Sequence, residues 1–308
     1  MKSPITLFLL FAFGISWAIA AVAHAAGFEY GSGLATLVVG GLFMLGPALA
    51  AIIVRRLFER KSLMPLGLSL KETDWRWMGI TALAGMALVP LALGFNSVLG
   101  ALVPGEAFGR TEVTMDMMKR TLAGMLDEQG LEAATSQLDM LDFLPGWGML
   151  LLILLAGLAS AATVNLPFMF GEEFGWRGML YHHTRSWSTL KIVLFTGVCW
   201  GLWHAPIILQ GHNYPGYPVA GVFMMTLFTT VLALPFHIIR RRTNSVWGPC
   251  LLHGIINSTA GGMVYFTEGG HELLASIAGV SGMLSIATVT LLLMVLDQRA
   301  ARKAMATG

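Results

Sequence analysis

Glu172, Glu173 and Arg177 stand together in the stretch FMFGEEFGWRGML, directly after an apolar run from Met149 to Val164. Two adjacent carboxylates with a guanidinium four residues on can accept a proton, release one, or neutralise each other. On a helix, residues four apart share a face and adjacent ones are turned by about 100°. That spacing pairs Glu173 with Arg177 and leaves Glu172 facing elsewhere, in need of another partner. Three more polar groups interrupt apolar runs: His204 in WGLWHAP, four residues after Trp200; His253 with Asn257 in HGIIN, again four apart; and His237 in FHIIRRR. Ionisable groups within hydrocarbon are costly and face a partner or a cavity. His237 sits one turn from three arginines and reads as snorkelling to the surface.

Singly, each group has a bland reading: a buried ion pair, an interhelical hydrogen bond, a histidine bonded within the core. Depth joins them. If the helices carrying Glu172 and His204 form a hairpin turning near Ser186–Thr189, each residue lies about 15 residues, or about 20 Å, from the turn. A second turn near Arg242–Asn244 places His253 about 15 Å and Asn257 about 20 Å above it. Glu172, His204, His253 and Asn257 then share one layer, provided that the helix entering at Pro167 runs on through Arg177. A carboxylate, two imidazoles and an amide gathered there form a reactive site, suited to proton transfer and to stabilising negative charge.

The elements that position them are membrane spans. The chain has 308 residues, 56% hydrophobic and 12% charged, with a mean hydropathy of +0.70; soluble domains carry about 25% charged residues. An all-α, polytopic membrane bundle follows. Eight runs fit spans: roughly 4–23, 34–54, 77–104, 147–170, 191–210, 218–239, 246–266 and 274–296. Lys and Arg alternate with them: sixteen of nineteen fall on one face, and Arg110, Lys119 and Arg120 fall in the 105–146 segment with eight acids. Basic segments stay cytoplasmic. This predicts both termini in the cytoplasm of a bacterial cell membrane, with a polar chamber open to the cytoplasmic side. Residues 1–308 read as one membrane domain with core helices in 147–260. The 105–146 segment reads as an amphipathic helix or helix pair over the outer face, as packing or as a lid. The first run also resembles a signal peptide ending in Ala-His-Ala, but its length favours a retained helix. Cys199 and Cys250 lie in apolar runs and read as packing residues. A formal charge of +2 says little about partners; with no basic nucleic-acid patch and no Gly-rich phosphate loop, no nucleic-acid partner is expected.

The ordered set EEFGWR, WGLWH and HGIIN resembles the motifs of the CPBP family, the membrane-embedded CAAX-processing and bacteriocin-processing proteases, over roughly 147–260. Trp200 stands where that family commonly has Phe. The resemblance implies an intramembrane endopeptidase cutting a membrane-associated or lipidated polypeptide near the cytoplasmic leaflet, with membrane lipid around it. It implies that Glu172 and His204 activate a water, that His253 and Asn257 stabilise the oxyanion, and that Glu173 and Arg177 brace the site. Glu172, His204 and His253 also make a candidate zinc set, although HExxH is absent and HELL at 271–274 lacks a second His. Chemistry without a metal is the preferred reading, with no cofactor required. The rival readings are a non-proteolytic immunity or scaffold protein and a proton-coupled transporter.

Overall fold

The computed structural model describes residues 3–28 and 33–307; Lys2, counted above among the basic residues, lies outside them. Helix α1 (Pro4–Ala25) opens with Pro at its first position, where a missing N–H costs nothing. It packs along α2 (Gly33–Ile53), and the two are tied by Ser16 Oγ donating to the Phe43 carbonyl at 2.8 Å. A five-residue π turn, Val54–Phe58, ends the second span. There Arg55 donates to Glu59 at 2.8 Å, and His183 approaches the same carboxylate at 3.2 Å. Burial alone would raise the Glu59 pKa. The Arg55 hydrogen bond and the charges of His183, Arg55 and Lys61 outweigh it and hold the carboxyl below its usual value.

Asp74 caps α3 (Trp75–Leu102) by accepting from the Trp77 N–H at 3.1 Å. Buried Asn96 on α3 donates to the Phe108 carbonyl at 2.7 Å and accepts from Ser281 at 2.7 Å. These bonds tie the outer segment down, beside a two-residue antiparallel ladder, β1 (Arg110–Thr111) with β2 (Thr267–Glu268). The 105–146 segment forms the expected helix pair, α4 (Met115–Ala123) and α5 (Glu128–Asp139), capped by Thr114 and Asp127. Lys119 joins them through Asp139 at 2.9 Å and Asp142 at 2.8 Å, and these hydrogen bonds raise its pKa.

Helix α6 (Gly146–Ala162) and α7 (Leu166–Glu173) meet at a break and bend by 63°. Pro167 begins the second piece, as its fixed φ and missing donor favour. The chain then runs on through a π segment, Phe174–Leu180, into α8 (Tyr181–Thr184), so the helix entering at Pro167 does carry Arg177. Next come α9 (Thr189–Trp203), α10 (Ala205–Leu209), α11 (Pro218–Thr243), α12 (Trp247–Thr259), α13 (Gly261–Tyr265) and α14 (Val280–Thr307).

Among the described residues, five helices are long and apolar enough to cross a membrane, or six if the bent pair is one span. The chain is a multi-pass membrane protein. The expected count of eight does not appear by length: α9 has 15 residues and α12 has 13, short of the about 20 that hydrocarbon demands. Both are interrupted beside polar residues, at His204 and just beyond Asn257, so an apolar run in sequence is not one continuous helix in space.

Candidate functional site

Close backbone approach assembles the site. Helices α9 and α11 are pressed together at Gly197 and Gly201; a Cβ on either would fall 2.4 Å from the Thr230 or Thr226 Cα. That contact fixes the depth of Trp200 and His204 against α11. Helices α6 and α12 pack side by side, and α7 then crosses to bring Glu173 beside His253.

Glu172 is buried, and its Oε2 accepts from the Trp200 indole Nε1 at 2.8 Å. Glu173 is fully buried, and its Oε1 accepts from Arg177 at 3.0 Å. The Glu173–Arg177 pairing read from the spacing is present. The same oxygen lies 2.8 Å from His253 Nδ1, a contact the spacing did not suggest. Arg177 is itself buried, with its guanidinium 4.1 Å from the Trp200 ring centroid and 4.2 Å from that of Phe236. Aromatic faces attract a desolvated cation in this geometry.

The histidine partners fix ring protons. His204 Nδ1 lies 2.8 Å from the Trp200 carbonyl, which can only accept, so Nδ1 carries the proton and Nε2 of a neutral ring is a free base. His253 Nδ1 faces a carboxylate in the same way, so donation from its Nε2 requires both ring protons. Asn257 makes a long contact from Nδ2 to Met169 Sδ at 3.6 Å and is otherwise exposed.

Glu172, Trp200, His204, His253 and Asn257 line one cavity of about 340 Å³, with Phe43, Met225, Phe228 and Leu232 among its apolar walls. The structure thus brings together the four residues expected to act and sets Glu173 and Arg177 behind them. Trp200 was legible only as an aromatic exchange. It bonds Glu172 through its ring nitrogen and His204 through its carbonyl, and lies edge-on to His253 with centroids 5.5 Å apart. An indole N–H within an apolar run needs an acceptor, and that was the available signal.

Among the described residues, no group of three or more His, Cys, Asp and Glu gathers closely enough to hold a metal ion. As placed, Glu172, His204 and His253 do not form a three-ligand zinc site.

Residues 142–259 match the family model described as type II CAAX prenyl endopeptidase, Rce1-like. The chain contains a domain of this family. The family is one of proteases, and the matched segment spans every residue named above in the cavity's polar wall, from α7 through α12. It covers less than half of the 308-residue chain. No curated protein matches the chain.

Proposed function

We propose that the chain is an intramembrane endopeptidase that hydrolyses a peptide bond within this cavity, using Glu172 and His204 to activate water. The observation that carries the reading is the shared cavity lining: a carboxylate, two imidazoles and a carboxamide come from three separate segments to one cavity. The Trp200 indole holds Glu172 by one oxygen, leaving the other for a water.

In the proposed step, water loses a proton to Glu172 or to His204 Nε2 as its oxygen bonds the carbonyl carbon. The carbonyl oxygen takes the electron pair and is met by Asn257 Nδ2–H and by a ring N–H of His253. Such donors contribute about 2.7–4 kcal/mol each to a developing oxyanion. Collapse breaks the C–N bond, and the stored proton goes to the departing nitrogen. Glu173 balances the positive charge of Arg177 and fixes the His253 ring. No step is routed through a metal, because the donors do not gather as a metal set.

The family description implies a prenylated protein as substrate; a lipidated or membrane-associated polypeptide is the class that the apolar cavity walls suit. With the protein reconstituted in liposomes, Glu172→Ala, His204→Ala and His253→Ala should each abolish cleavage of a peptide that wild type cuts, with the bundle still folded. Asn257→Ala should lower turnover more than binding. Full cleavage by Glu172→Ala overturns the proposal.

A further inference from the structure

The cavity is not centred on the spans that line it. On α11 its lining runs from Met225 to Leu232, 7 to 14 residues after Pro218 and 11 to 18 before Thr243. At helical rise that is about 10–21 Å from the Pro218 end and about 16–27 Å from the end bearing Arg240, Arg241 and Arg242. Beyond the helices, its wall includes His212 and Asn213, in the loop before α11, and Ile277 and Ala278, just before α14. Asn213 is exposed, and Ile277 and Ala260 are half-buried.

The arginine end is closed. Glu173, Arg177 and Arg240 are all buried, and Arg240 donates from Nε to the Arg177 carbonyl at 2.8 Å. Trp176, Met179 and Leu66 are buried too, and the Leu66 carbonyl accepts from Arg240 Nη2 at 3.4 Å. The void bounded by Trp176, Arg177, Tyr181, His237 and Arg240 is about 10 Å³, against about 340 Å³ for the cavity above it. A void of that size admits about one water and no peptide.

We infer that the cavity is reached from the membrane face opposite the arginine clusters, and that its substrate is a polypeptide segment presented on that outer face. The Lys/Arg bias assigns the closed end to the cytoplasm, so this replaces the cytoplasmic access expected from depth counting. Depth counting measured distance from the basic turns and could not see that the space below the reactive layer is filled. The choice of substrate rests on the endopeptidase reading; the side of access stands without it.

The test is side-specific labelling with a membrane-impermeant maleimide, in full-length protein with Cys199 and Cys250 replaced by Ala. Asn213→Cys marks the loop, Ala260→Cys the cavity wall beside Asn257, and Arg302→Cys the basic end. In intact spheroplasts, Asn213→Cys and Ala260→Cys should be labelled and Arg302→Cys should not; inverted vesicles should reverse the pattern. Labelling of Ala260→Cys only in inverted vesicles overturns the inference, as does its protection from both sides in inserted protein. If Ala260→Cys fails to insert, Ile277→Cys replaces it. Repeating the set with Glu172→Ala separates access from catalysis, since labelling needs no turnover.

Discussion

Trp200→Phe removes one atom group that the account depends on and leaves nearly everything else. Phe keeps an aromatic face for Arg177, now 4.1 Å from the indole centroid, and keeps the edge contact with His253. The backbone carbonyl that orders His204 is untouched. The 2.8 Å bond to Glu172 Oε2 is the side-chain hydrogen bond lost, together with part of the buried ring's packing. A hydrogen bond to a charged group contributes about 1.5–3 kcal/mol, and each 1.36 kcal/mol is tenfold in rate. If that bond holds the carboxylate in its working position, cleavage should fall by about 10- to 150-fold. The assay is single-turnover cleavage in liposomes, with thermal unfolding in parallel. Trp200→Ala, which also removes the ring beneath Arg177, should lose more activity and stability together. Wild-type rates in Trp200→Phe would refute the positioning role. Equal losses in the two variants would assign the effect to packing rather than to the N–H.

Other outcomes separate the two glutamates and test the scaffold. Glu173→Gln leaves Arg177 buried without its counter-charge and should destabilise the fold by about 3–5 kcal/mol, whereas Glu172→Gln keeps an acceptor for the indole and should lose activity with little loss of stability; the reverse order in thermal melts contradicts the assignment. Gly201→Val should force α9 from α11 and abolish cleavage in protein that still inserts, because even a Cβ there meets the Thr226 Cα at 2.4 Å. Glu59 has a lowered pKa, so its contribution to stability is present above its unfolded value of 4.5 and is lost as pH falls through the lower folded value. Acid melts of wild type should therefore fall more steeply below about pH 4.5 than those of Glu59→Gln; parallel curves would remove that role. Metal content of purified protein should be sub-stoichiometric and equal in wild type and Glu172→Ala; zinc at one per chain, lost in the variant, contradicts hydrolysis by water and side chains alone.

Much of the site was legible because helical spacing is rigid. Glu173 with Arg177, and His253 near Asn257, follow from residues four apart, and the shared layer follows from counting to charged turns. The second partner of Glu173, His253, was hidden, since it depends on how far α7 swings after the 63° break. The span count failed for a related reason: composition reports apolar length, whereas α9 and α12 stop where polar groups need room. The direction of the cavity was also out of reach. It depends on how Trp176, Met179 and Leu66 are buried, and buried apolar residues look alike in a sequence that is 56% hydrophobic.

The central claim is that Glu172 makes this chain a peptide hydrolase. Comparative terminal proteomics of membranes from cells carrying wild-type or Glu172→Ala protein at equal abundance tests it most directly. New polypeptide termini should appear with wild type and vanish in the variant. Identical sets of termini in the two membranes would contradict it.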